Sequence, residues 1–120
     1  MNLFAKKTTG QWAEDLACAH LRKQGLKLLQ HNYRYTNGEI DLIMQDKQTL
    51  VFIEVRYRAN EQYGGSIESI DWRKQQRIIR TAQHYLQTHQ SAQQQACRFD
   101  VVLLSGKTQL QWIPDAFRPT

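Results

Sequence analysis

Leu50-Val51-Phe52-Ile53-Glu54-Val55-Arg56-Tyr57-Arg58 (LVFIEVRYR) reads as a core strand with a carboxylate in its middle and two guanidiniums at its end. Side chains alternate along a strand, so Leu50, Phe52, Glu54 and Arg56 share one face and Val51, Ile53 and Val55 the other. Large apolar groups on both faces are the pattern of a strand covered on both sides. A charge built into such a strand needs a partner or a task.

Outward from this strand, residues 59–66 (ANEQYGGS) form a loop with two adjacent glycines. Ser69 or Asp71 can cap a second helix, with Trp72, Ile79, Ala82 and Leu86 as its apolar face, supported by Ile78 and Tyr85. Residues 87–95 are glutamine-rich and read as a frayed helix end with a linker. Residues 98–104 (RFDVVLL) are a buried strand, residues 105–107 turn the chain, and residues 108–113 are a final strand. A strand, a crossover helix and another buried strand imply parallel pairing of the two strands.

Toward the N-terminus, Thr9 is a plausible cap for a helix over residues 10–24, with Ala13, Leu16, Ala17, His20 and Leu21 at helical spacing and Gly25 as the stop. Residues 26–35 are a looser extended segment, and Thr36-Asn37-Gly38 is a turn. A strand over residues 39–44 and the tetrapeptide at 46–49 lead into the opening stretch, giving an antiparallel meander. The expected fold is α/β, a mixed five-stranded sheet flanked by helices in the order α-β-β-β-α-β-β.

At 120 residues, 41% hydrophobic and 22% charged, the chain is expected to be one globular domain over residues 1–120, with residues 1–8 a flexible N-terminus. Its formal net charge of +5 favours polyanionic partners such as nucleic acid. No segment reads as a signal peptide or a membrane span, so the expectation is a cytoplasmic protein with no membrane partner. Cys18 and Cys97 form no CxxC pair and are expected to be reduced, buried or inert. The four histidines show no zinc spacing and read as ordinary surface or half-buried residues.

Alternation places Glu39, Asp41 and Ile43 on one face of their strand and Ile40, Leu42 and Met44 on the other. With a turn at 46–49, Gln45 faces Leu50, which sets Asp41 opposite Glu54 and Glu39 opposite Arg56. Carboxylates facing each other in a half-covered sheet repel, and a divalent cation turns that penalty into binding energy. Such an ion polarises a phosphodiester and acidifies a water, and Arg56 offers positive charge to a phosphate. The commoner fate of strand charges is a solvated salt-bridge network. Against it, Phe52 and Ile43 share the charged face. On the second helix Arg73, Arg77 and Arg80 form a stripe with Lys74 beside it, suited to phosphate contacts. Tyr57, Tyr63 and Trp72 could stack on unpaired bases.

GEIDLI at 38–43, VFIEVRYR at 51–58, IDWRKQQR at 70–77, RFDVV at 98–102, and Gly10, Ala13 and Glu14 in the first helix together resemble the YraN-type family of small bacterial proteins. That family is placed in the PD-(D/E)xK nuclease superfamily, with a restriction-endonuclease-like fold similar to archaeal Holliday-junction resolvases. The resemblance implies a nuclease, with Asp41 and Glu54 as the motif's acidic residues and Glu14 as the helix carboxylate. Glu39 is then a direct or supporting ligand. One position departs: the motif's lysine is Arg56 here, and a guanidinium cannot serve as a base. Either metal-bound hydroxide suffices without a base, or Lys74 on the second helix helps.

The function expected is therefore metal-dependent cleavage of phosphodiester bonds in structured or branched DNA. Asp41, Glu54, Arg56 and Glu14 are the catalytic candidates. Asp41, Glu54 and Glu39 would hold magnesium or manganese, and Arg58, Arg73, Lys74, Arg77 and Arg80 would contact nucleic acid. A nucleic-acid-binding module that has lost the chemistry is the alternative. Similarity to resolvases, which cut two strands, points to a homodimer.

Overall fold

The computed structural model describes residues 8–58, 69–106 and 109–119. In chain order the elements are α1 (Thr9–Lys23), β1 (Lys27–Tyr35), β2 (Gly38–Asp46), β3 (Thr49–Arg58), α2 (Trp72–Thr88), a 3-10 helix (Gln90–Gln94), β4 (Ala96–Ser105) and β5 (Gln109–Phe117). The fold is the α/β architecture expected, with one five-stranded mixed sheet ordered β1-β2-β3-β4-β5. β3 and β4 pair in parallel around the α2 crossover, and the other neighbours are antiparallel. Residues 1–7 of the expected flexible N-terminus, the 59–66 loop with Tyr63, and Lys107 and Thr108 lie outside the described residues.

The helices cover opposite faces. Ala13, Ala17 and Leu21 of α1 pack on Leu42, Met44, Val51, Ile53, Val102 and Leu104. Ile78, Ile79, Ala82 and Tyr85 of α2 pack on Ile43, Leu50, Phe52, Phe99, Val101 and Leu103. β3 is thus buried from both sides, as its double apolar pattern requires.

Several boundaries differ from the sequence reading. The α1 cap is Thr8 rather than Thr9, because Thr8 places Gln11 at the third helical position and closes a capping box. Gly25 does end the helix, at φ +100°. Leu16 is 36% exposed and lies off the buried face. Residues 26–35 are no loose segment but a paired strand, with a register shift between Leu28 and Gln30 that leaves Leu29 exposed. Asp71, not Ser69, caps α2 through a hydrogen bond from the Lys74 N–H. Trp72, expected on the apolar face, is 65% exposed; Ile70, just ahead of the helix, fills the core under that end instead. The glutamine-rich stretch is ordered as the end of α2 and the 3-10 helix, which buries Ala92. The final strand continues to Phe117 through Pro114, tolerated because β5 is an edge.

Candidate active site

The β2–β3 turn is Lys47-Gln48, and Gln45 pairs with Leu50 as the sequence suggested. From there the register runs to Leu42 opposite Ile53 and then stops. At the next residue the strands part, and the Asp41 Oδ2 accepts the Val55 backbone N–H at 2.8 Å. A side chain has taken the place of a ladder carbonyl. In β1, Asn32 lies opposite this point, between the pairs His31–Leu42 and Tyr33–Ile40, with a φ of 53°. Asparagine tolerates this left-handed backbone better than most residues.

This irregularity overturns strict alternation in β2. Leu42 and Met44 do face α1, but Ile40 joins Ile43 on the α2 side. Glu39 and Asp41 do not share Ile43's environment; they reach the Glu14 carboxylate on α1. Glu14, Glu39 and Asp41 each offer an oxygen, all within 4.8 Å of one another. Glu54, assigned to the metal set from sequence, is not in this triplet. It contacts Asp41 within hydrogen-bonding reach and pairs with the Lys74 Nζ at 3.3 Å. Asp41 is therefore the hub, touching the triplet and the Glu54–Lys74 pair.

The electrostatics are unfavourable for the protein alone. Two ionised carboxylates at this spacing repel by at least about 3.5 kcal/mol at an effective dielectric near 20. The compensating pair within reach of Glu39 is Arg34, whose side chain is 74% exposed, and such a surface pair contributes at most about 1 kcal/mol. At Glu39 that pair offsets only part of the repulsion. Burial, then the neighbouring Glu54 carboxyl, push Asp41 up to about 9, against the pull of the Val55 N–H. Asp41 accordingly retains its proton at neutral pH. Burial and then Glu39 raise Glu14, partly offset by a hydrogen bond to Asn32. A bound cation would relieve these strains by displacing the proton. The donors are all carboxylate oxygens, which suit magnesium or manganese rather than zinc.

The basic candidates separate. Arg56 does not reach the carboxylates; its Nη2 donates to the Ser69 carbonyl at 2.7 Å and its Nε to the Ser69 Oγ at 3.4 Å. Arg56 thereby fastens β3 to the segment leading into α2. Lys74 is the cation at the carboxylates. Arg77 and Arg80 face the β1–β2 turn, while Arg58 and Arg73 are exposed. Tyr57 packs edge-on against Trp12 and so serves the α1 side of the core.

Asn32 is the residue that sequence reading missed, and an asparagine interrupting an extended pattern was its one visible signal. The RFD stretch proves structural. Asp100 is fully buried and accepts from Arg98, the Trp112 indole and the Asp115 N–H. His84, read as ordinary, hydrogen-bonds Tyr33 and stacks on Tyr35. Both cysteines are free, but Cys97 is exposed rather than buried. No helix among the described residues is long and apolar enough to cross a membrane.

A sequence model of the group described as Uncharacterised protein family UPF0102 matches residues 13–104. The chain is 52% identical to a UPF0102 protein of Nitrosococcus oceani, over 91% of this chain and 90% of that one. It is 46% identical to one of Stutzerimonas stutzeri, over 92% and 95% of the two chains. Against one of Pseudomonas fluorescens the identity is 48%, over 91% and 92%. With the family match covering β1 to β3, nearly all of β4, α2, most of α1 and all four clustered carboxylates, the chain belongs to the bacterial UPF0102 family.

Proposed function

We propose that this protein is a metal-dependent nuclease acting on phosphodiester bonds of structured or branched DNA, with a restriction-endonuclease-like core. The observation that carries the reading is the convergence of Glu14, Glu39 and Asp41, with Asp41 also touching Glu54 and Glu54 paired to Lys74. Glu14, Glu39 and Asp41 would hold magnesium or manganese. Once bound there, such an ion would supply Lewis-acid polarisation of a phosphate oxygen and a lowered pKa for an attacking water.

The chain's own groups do the rest. Glu54 is 5% exposed and keeps Lys74 over the site. The Lys74 ammonium stabilises the charge that builds on the phosphorane, and unlike a guanidinium it can exchange a proton. Lys74 thus fills from α2 the place left by the strand position that holds Arg56. Arg56 is a positioning residue: by holding Ser69 it sets where α2 begins, and with it Lys74. Arg58 and Arg73, both exposed, would contact phosphates along the substrate.

The test is a cleavage panel of branched and linear DNA with magnesium or manganese. Lys74→Met should lose cleavage while retaining DNA affinity, and Arg56→Lys should retain most cleavage. If Lys74→Met cuts as well as wild type, the lysine assignment is wrong. The alternative of a binding module without chemistry draws on the arginine at the strand position. An inactive wild type that still binds DNA, with metal present, would select that alternative.

A further inference from the structure

The β1–β2 turn comes unusually close to α2. A Cβ on Gly38 would lie 2.0 Å from the Thr81 Oγ1 and 2.9 Å from the Arg77 carbonyl oxygen, so only glycine lets the two backbones meet. Thr81 seals the contact by donating its hydroxyl to that same Arg77 carbonyl at 2.8 Å. Beside this junction lies a cavity of about 200 Å³, lined by Tyr35, Asn37, Gly38, Arg77, Arg80 and Thr81. The volume is that of roughly six or seven waters, enough for a tetrahedral phosphate. One wall is fixed, because the Tyr35 ring stacks on His84 with centroids 3.7 Å apart.

Two guanidiniums border this cavity, and among the described residues neither has a carboxylate partner within 4.0 Å. By contrast Arg34, Arg98 and Arg118 are each matched to an acid. Paired guanidiniums with no acid partner at a concave surface are the chemistry of phosphate recognition.

We propose that this cavity is a phosphate-binding subsite, holding a non-scissile phosphate of the nucleic-acid strand that is cut at the carboxylate centre. Its place relative to that centre rests on the nuclease reading; the binding itself does not. Helical rise puts Arg77 about 4.5 Å and Arg80 about 9 Å along α2 from Lys74. Glu39, a carboxylate of the triplet, directly follows Gly38. The subsite thus lies one or two nucleotides from the scissile bond, and it sets the direction in which the strand crosses α2.

The test uses the full chain in EDTA, where no cleavage can occur. Binding is measured for two single-stranded DNA oligonucleotides of one sequence, one with a 5′-phosphate and one with a 5′-hydroxyl, and for a duplex at several salt concentrations. The variants are Arg77→Gln with Arg80→Gln, the same pair changed to Lys, and a charge-matched control on α1, Arg22→Gln with Lys23→Gln. The Gln pair should weaken binding about tenfold more than the control, and the Lys pair should recover part of it. Because two arginines hold one phosphate, the duplex salt slope should flatten by about 0.9 rather than about 1.8. Equal losses on both oligonucleotides identify an internal phosphodiester, and a loss confined to the phosphorylated one identifies a terminal phosphate. Affinity no lower than in the α1 control would overturn the subsite. A chain that cuts DNA but shows that result keeps the nuclease reading, and one that never cuts but loses binding in the Gln pair keeps the subsite alone.

Discussion

Asp41→Asn isolates the energetic strain at the centre. The amide keeps an oxygen to accept the Val55 N–H, so the strand junction survives, but the ionisable group is gone. In the native protein the Asp41 carboxyl is pushed up to about 9 by burial and by Glu54. In the unfolded chain an aspartate titrates near 3.9. Below about pH 4 both states hold the proton and the group adds no pH dependence. Between about pH 4 and 9 the unfolded chain releases a proton that the native protein keeps, so wild-type stability falls as pH rises. Above about 9 the penalty is constant. The slope reaches about 1.4 kcal/mol per pH unit, which sets a ceiling of about 2.7 kcal/mol between pH 5 and pH 7. Urea denaturation of both proteins in EDTA at pH 5, 6 and 7 should show the variant gaining on wild type by about 1 to 2.7 kcal/mol over that range. Manganese should narrow the difference by stabilising wild type, and more so at pH 7, where less proton competes. A stability difference that stays flat from pH 5 to pH 7 would refute the raised pKa of Asp41.

Gly38→Ala should destabilise by about 2 kcal/mol, because Thr81 and the α2 backbone must both move; thermal unfolding with no change in melting temperature would contradict the close approach. Asp100→Ala should cost about 3 kcal/mol or more in urea denaturation, since it strips buried Arg98, Trp112 and Asp115 donors of their acceptor. Manganese calorimetry should show weak binding to wild type and a clear loss of heat with Glu14→Gln; equal heats would remove Glu14 from the ligand set.

The frame of this protein was open to sequence reasoning because its signals are local or periodic. The β3 pattern LVFIEVRYR, the Gly25 stop and the strand–helix–strand spacing each depend on a few neighbouring residues, and the parallel crossover follows from chirality. The expected convergence of Asp41 and Glu54 rested on the pairing of Gln45 with Leu50, which the structure has. The detail was hidden because it depends on tertiary contacts. The Asp41–Val55 hydrogen bond spans 14 residues and breaks the alternation of β2, so Glu14 and not Glu54 completes the triplet. Likewise no spacing rule reveals that Arg56 is held by Ser69, or that Lys74 reaches Glu54 from a different element.

The most direct measurement is single-turnover cleavage of a labelled four-way DNA junction by wild type and by Asp41→Asn, with manganese and with EDTA, and with junction affinity measured on the same preparations. Wild type should cut only with manganese, and Asp41→Asn should bind the junction but lose cleavage by at least about a hundredfold, the scale of a removed charge-stabilising group. Cleavage that persists in EDTA or in Asp41→Asn, or a wild type that binds the junction tightly and never cuts it with metal present, would contradict a catalytic centre at Asp41.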